Sequence, residues 1–367
     1  MFYLDGQNEC ALQAACYRGN TDIVKFLLEH KADPNTQGGK YGCALQAACN
    51  EEYTDIVKLL LEHKADPNAQ AYFVGQYGCV LQAVCYKQYT NAVKLLLNHK
   101  ADPNIQGGYY GCALQAACIL GNPDTVKLLL KHKADPNIQG GEYGCALQAA
   151  CYWENTNIVE LLLEHKADPN IQGGKYGCAL QAACFGGNTD IVALLLEYKA
   201  DPNTQGGVFG CALQAACYKE KTDIVALLLE HKADPNIQDG EYGCALQAAC
   251  LEGNTDIVGL LLEHEADLNI QGGVFGCALQ AACIEGHIDI VALLLEHKAD
   301  PNIQGGKYGC ALEAACLEEN TDIVALLLEH KADPNIQVLG HETPLKIAQQ
   351  SGNAELIQAL LKYGAKV

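Results

Sequence analysis

A seven-residue frame, Cys-Ala-Leu-Gln-Ala-Ala-Cys, returns ten times along the chain, with at most two residues changed in any copy. The frames open at Cys10, Cys43, Cys79, Cys112, Cys145, Cys178, Cys211, Cys244, Cys277 and Cys310. A period of about 33 residues is one supersecondary piece, too short to bury its own apolar face, so neighbours must stack to make a core. For 367 residues, length alone would suggest two or three ordinary domains. The period replaces that expectation with one array whose core extends along an axis.

The unit 38–70 shows how each copy is built. Gly38, Gly39, Lys40, Tyr41 and Gly42 form a glycine-rich turn. A short helix follows over Cys43 to Asn50, carrying Ala44, Leu45, Ala47, Ala48 and Cys49 as small apolar residues. After a break at Glu51, Glu52 and Tyr53, a second helix starts at Thr54 or Asp55, with Ile56, Val57, Leu59, Leu60 and Leu61 making a wide apolar face. Glu62, His63 and Lys64 end it, and Ala65, Asp66, Pro67 and Asn68 lead to the next turn. Each buried Leu, Ile or Val contributes about 1.5–3 kcal/mol, so the Ile-Val-x-Leu-Leu-Leu ladder is the dominant stabilising term.

This unit resembles the ankyrin repeat, with its Thr-Pro-Leu-His, Ala-Ala, Ile-Val-x-x-Leu-Leu and Gly-Ala-Asp runs. The last copy keeps most of the pattern as Thr343, Pro344, Leu345, Ala348, Gly352, Leu356, Ile357, Leu360, Leu361, Gly364 and Ala365. Copies reading Tyr-Gly-x-Ala-Leu-Gln-Ala-Ala are also similar to the arrays of fungal NACHT-type, NLR-like proteins. The resemblance implies an all-α solenoid of eleven helix-turn-helix units with protruding β-turn fingers. Their expected bounds are 5–37, 38–70, 71–106, 107–139, 140–172, 173–205, 206–238, 239–271, 272–304, 305–337 and a capping unit 338–367.

Two departures from the family matter. Cys-Ala-Leu-Gln stands where the family has Thr-Pro-Leu-His, so the Thr–His hydrogen bonding that staples each turn must be partly replaced, with Gln46 and its counterparts as candidates. Lys31, Lys64, Lys100 and most equivalents stand where the family has glycine. A left-handed conformation there would cost of order 1 kcal/mol per copy, against a favourable lysine–dipole interaction. The ends differ as well. Lys346, Gln349, Gln350, Glu355 and Gln358 make the last copy a polar cap, whereas Ala11, Ala14, Ala15, Ile23 and Phe26 leave the first copy core-like. Either the leader 1–4 covers that copy or an upstream segment does.

The formal net charge of −20 argues against nucleic acid and anionic membranes as partners, since both are bound through Lys and Arg. The N-terminus has no basic segment followed by an apolar one, no apolar run is long enough to span a bilayer, and no Asn-x-Ser/Thr acceptor occurs. A cytoplasmic or nuclear monomer is expected, in a reducing compartment. The twenty cysteines are ten copies of two. On a helix, positions i and i+6 lie about 240° apart and roughly 9 Å along the axis, which is too far for a disulfide. They read as buried fillers. Nothing has the short Cys pairs of a zinc site, and no cofactor is expected.

No catalytic constellation stands out. Ser351 is the one serine, and Gly-Gly-Lys-Tyr-Gly lacks the spacing of a phosphate loop. Nine of the eleven histidines, His30 to His330, recur at the end of the second helix, too far apart at a stacking distance of about 8–10 Å for neighbours to share a metal. No enzyme is expected.

Function in an array lies where copies differ. The two residues after the second cysteine vary most, as Tyr86/Lys87, Tyr152/Trp153 and Phe185/Gly186 show, and the turn position holds Lys40, Gln76, Tyr109, Glu142 and Val208 among others. The resemblance puts these positions on a concave groove and finger loops. One turn is longer and carries Tyr72, Phe73 and Val74, and the sole tryptophan, Trp153, sits among Tyr109, Tyr152 and Phe185. Aromatic anchors on a rigid scaffold are typical of binding hot spots; half-buried packing is the other reading for Tyr152 and Phe185, and drift for the long turn. Arg18, Lys87 and Lys219 lie in one stretch, and Glu252, Glu285 and Glu318 follow in the other. The sequence thus predicts a protein-interaction module or scaffold; the three successive glutamates read either as a solvated face or as the contact for a basic segment of the partner. The rival readings are a non-catalytic piece of a larger enzyme or NLR-like receptor, and a structural spacer.

All twenty cysteines should take up iodoacetamide once the chain is unfolded without reductant. A mass spectrum showing any pair protected would contradict the reduced-core reading.

Overall fold

The structure is a computed structural model that describes residues 10–38, 42–70 and 77–366. Twenty-two helices lie among the described residues, in eleven pairs of one short and one longer helix. The chain divides into two compact units, 1–179 and 180–367. Within each, first helices pack on the first helix of the next repeat and second helices on the second.

The short helix begins one residue later than the sequence pattern suggests. Cys43 is the N-cap, extended at φ −143°, and its thiol accepts from the Gln46 backbone N–H at 3.4 Å. Cys10 and Cys310 do the same. In these copies the first cysteine therefore fills the capping role that a Ser or Thr takes elsewhere, and Cys43 and Cys310 are buried as well. The remainder of the helix, as in Ala146–Tyr152, buries Ala146, Leu147, Ala149, Ala150 and Cys151 almost completely. Small residues allow the next helix close. The longer helix Thr156–Glu164 buries Ile158, Val159, Leu162 and Leu163 and shows solvent its polar side.

The repeated glutamine is what joins one copy to the next. Gln148 is fully buried; its Oε1 accepts from the Cys145 backbone N–H at 3.1 Å, while Nε2 donates to Ile171 O at 3.0 Å and Gly177 O at 3.1 Å in the following repeat. Gln13, Gln82, Gln115, Gln181, Gln214, Gln247 and Gln280 repeat the two-carbonyl donation. The substitution of Gln for the family's His thus keeps a full staple between repeats. It also dictates glycine at the finger base: Gly144 has φ +88°, and a Cβ there would meet Gly173 C at 2.8 Å as well as the Gln148 carboxamide.

A second ladder runs outside. Asn35 Nδ2 donates to Lys64 O at 3.0 Å and its Oδ1 accepts from Asp66 N–H at 2.7 Å, a pattern that Asn104, Asn203, Asn236 and Asn302 repeat. Lys64 is left-handed at φ +66°, as are Lys31, Lys100 and their equivalents. The asparagine takes the carbonyl that this strained residue presents, and the His63 ring bonds Leu59 O at 2.9 Å just before it. Eight of the nine helix-ending histidines make this bond and so act as capping groups. Left-handed backbone also recurs between the paired helices at Glu52, Gln88, Glu154, Glu220 and Glu319, where other copies carry Gly19, Gly121 or Gly253.

At the ends, Lys346, Gln349, Gln350, Glu355 and Gln358 are all exposed, as expected of a cap. Ile23 and Phe26 of the first copy are 50% and 58% exposed rather than buried, because no described residue stacks over them.

One junction breaks the glutamine ladder. Glu313 stands at the tenth position, 0% exposed, with neither carboxylate oxygen hydrogen-bonded. His341 Nδ1 approaches Oε2 at 3.2 Å without the alignment of a hydrogen bond. Burial pushes the Glu313 carboxyl from 4.5 up to about 7. The folded chain therefore holds the proton more tightly than the unfolded one, and this contribution to stability is present below about 4.5 and lost as pH rises through about 7.

Two outcomes follow for urea unfolding. Gln148→Leu leaves buried carbonyls without their donor and should cost about 1–3 kcal/mol. Glu313→Gln should raise the midpoint, and its advantage over wild type should widen between pH 4.5 and 7; a pH-independent gap would contradict the assignment.

Candidate functional site

The ends of the short helices and the bases of the fingers carry the aromatic and charged residues that vary among copies. In the unit 1–179, Tyr86 closes the helix Val80–Tyr86 and stacks on Tyr110 at 4.5 Å between ring centroids, with Tyr77 at 5.8 Å. Tyr152 repeats the arrangement on Tyr176 at 4.5 Å. Both are half-buried. These helix-end tyrosines serve mainly as packing between repeats, as does Phe185 in the unit 180–367, whose ring lies 4.7 Å from Phe209.

Other side chains of the set reach solvent. Trp153 is the C-cap of Ala146–Tyr152 and 47% exposed. Its indole N–H donates to the Tyr143 hydroxyl at 3.2 Å, and Tyr152 meets it edge-on at 5.3 Å, so the ring is held in place while half of it faces water. Tyr109 is equally exposed and edge-on to Tyr110 at 5.1 Å. Lys87 is committed within the chain: Nζ donates to Asn50 O and Oδ1, both at 2.8 Å, and burial lowers its pKa. Tyr72, Phe73 and Val74, with Lys40 and Gln76, lie outside the described residues.

In the unit 180–367 the acidic residues converge. An open cleft of about 360 Å³ has the rings of Tyr218, Tyr242 and Phe275 on its walls, with the carboxylates of Glu241, Glu252 and Glu285 around it. Leu251 and Val274 complete the lining. Tyr218 stacks on Tyr242 at 4.9 Å, and the Val274 N–H donates to Glu241 O at 3.1 Å, which fixes the two fingers against each other. Burial raises the pKa of Glu252, and the like charges of Glu220 and Glu285 add to the effect against Lys219 and His287. Glu318 is exposed and does not line the cleft.

The finger aromatics Tyr110, Tyr143, Tyr176, Phe209, Tyr242 and Phe275 escaped sequence reasoning. They recur in nearly every copy and so looked like turn residues, although they are the surface on which the variable helix-end residues rest. Among the described residues no three or more His, Cys, Asp or Glu side chains cluster as a metal site would need. The Ser351 hydroxyl donates to Ala348 O at 3.0 Å. The arrangement offers rings and carboxylates to a ligand, which is binding chemistry.

A family model described as ankyrin repeats in three copies matches residues 2–71, 77–140, 137–206, 180–272, 213–305, 246–338 and 307–367. The chain belongs to the ankyrin-repeat family. No curated protein matches it. Ankyrin repeats are generally protein–protein interaction modules, and their fold is typically non-catalytic. The Gln staple and cysteine cap are this ankyrin array's own versions of the turn chemistry.

Trp153→Ala removes one hydrogen bond and one edge-on ring contact from a half-exposed site. Stability should fall by about 1–2 kcal/mol or less, with unchanged far-UV helical signal. A larger loss on urea titration would make Trp153 a core residue.

Proposed function

We propose that this chain is a protein-interaction module that takes a partner on the face formed by short-helix ends and finger bases. One observation carries the reading. Residues at the short-helix ends and finger bases differ among the copies, and two of them, Trp153 and Tyr109, are each 47% exposed on rings anchored by neighbouring side chains. Exposed aromatics held in one rotamer lose little entropy on binding and supply large contact area. The proposed contact residues are Tyr72, Phe73, Val74, Tyr86, Lys87, Tyr109, Tyr152 and Trp153 in the unit 1–179 and Phe185, Glu252, Glu285 and Glu318 in the unit 180–367, with Trp153 and Tyr109 as the aromatic anchors.

The partner is a protein, bound by a monomeric array without cofactor or catalysis. The net charge of −20 disfavours nucleic acid and anionic lipid. No helix among the described residues is long and apolar enough to cross a membrane. All twenty cysteines are free thiols, which supports a reducing compartment such as the cytoplasm.

A display library of random peptides panned on the purified chain tests the reading. Selected peptides should lose at least fivefold in affinity to Trp153→Ala or Tyr109→Ala, a difference of about 1 kcal/mol. Exposed control changes such as Glu230→Gln should have no effect. Peptides indifferent to both aromatic changes, or no enrichment at all, would favour a spacer.

A further inference from the structure

The acidic cleft has a register that points to its occupant. In the unit 180–367, Phe185 lies in the last turn of one short helix, and the following repeat sends Lys219 over it, with Nζ 4.3 Å from the ring centroid. That is cation–π contact supplied by the chain to itself. One repeat further on, the ring is Tyr218, and the residue in the place of Lys219 is Glu252; one further again, Glu285 follows. The position that supplies a cation to the first ring supplies carboxylates to the next, where Lys219 Nζ stands farther off, 5.7 Å from the Tyr218 centroid. Where it does so, an open cleft of about 360 Å³ appears, walled by Tyr218, Tyr242 and Phe275, with no lysine or arginine in its lining. That volume sits at the small end of the range for ligand sites, about 300–1,000 Å³, and accommodates one long side chain with a few waters.

We propose that this cleft binds an arginine side chain on a basic segment of the partner protein, stacked against the aromatic wall and paired with Glu252 and Glu285. The inference rests on the interaction-module reading and names the chemistry of its partner. Guanidinium suits the site better than ammonium, because a planar, weakly hydrated cation can lie on a ring and offer its edge to carboxylates at once. Docking would also relieve the crowding of like charge around Glu252, where Glu220 and Glu285 face it from neighbouring repeats and only Lys219 and His287 counter them. The finger contact between Glu241 and Val274 keeps the walls in place beforehand, so little ordering is needed on binding.

Fluorescence anisotropy on the full chain tests this, using a fluorescein-labelled peptide of alternating glycine and arginine at about 0.15 M salt, where the Debye length is about 8 Å. Glu252→Gln/Glu285→Gln should weaken binding about tenfold or more, and Phe275→Leu severalfold. Glu230→Gln/Glu263→Gln removes the same charge from exposed ends of second helices and should change affinity less than about twofold. The same peptide with citrulline for arginine should bind like the cleft double variant. Equal weakening by both double variants means attraction by net charge alone and overturns the site, as does wild-type affinity in the cleft variant. Arginine-peptide binding that responds to Trp153→Ala and not to the cleft glutamates also overturns it, yet leaves the interaction-module reading standing. Circular dichroism on each variant checks the fold, which the isosteric glutamate-to-glutamine replacements should leave unchanged.

Discussion

A buried carboxamide, bonded to its own helix at one atom and to the next repeat at another, is the interaction on which this array depends. Apolar burial makes stacking favourable but does not by itself set the register of one copy on another. Gln148 does so, because Nε2 must reach Ile171 O and Gly177 O together while Oε1 holds the Cys145 N–H. Leaving any of these buried groups unpaired costs more than a made bond contributes, so the alternatives are penalised more than the native register is favoured. The outer asparagine ladder repeats the logic in solvent, where it ties down the left-handed lysine that ends each second helix.

Rigid registration makes variation elsewhere harmless. With helix contacts and both ladders fixed, the residues at short-helix ends can change freely, and the copies diverge there into tyrosine stacks, a half-exposed tryptophan and an acidic cleft. Glu313 shows what happens when variation enters the ladder: a carboxylate takes the place of the donor, its oxygens go unbonded and its proton affinity rises.

Much of this was legible in the sequence. The period, the two helices of each copy, the polar last repeat and the helix-ending histidines follow from spacing and residue type. Local chemistry that depends on the third dimension did not. Cys43 reads as an apolar filler until its backbone is seen to be extended and its thiol to face the Gln46 N–H. Lys87 reads as a free surface cation until Asn50 of the previous repeat is found beneath it. Glu252 and Glu285 are 33 positions apart, and only stacking brings them around one cleft with Tyr242 and Phe275. Ile23 and Phe26 carry core residue types at positions that nothing described covers, which no pattern within one repeat can reveal.

Hydrogen–deuterium exchange by mass spectrometry reads the glutamine ladder directly. Helices joined through Gln, such as Ala245–Glu252 and Ala278–Glu285, should exchange together and slowly. The pair Pro344–Ser351 and Ala354–Lys362, joined through Glu313, should exchange faster, and Glu313→Gln should slow it towards its neighbours. If the last pair is as protected as the interior, or the substitution leaves its exchange unchanged, the carboxamide is not what registers one repeat on the next.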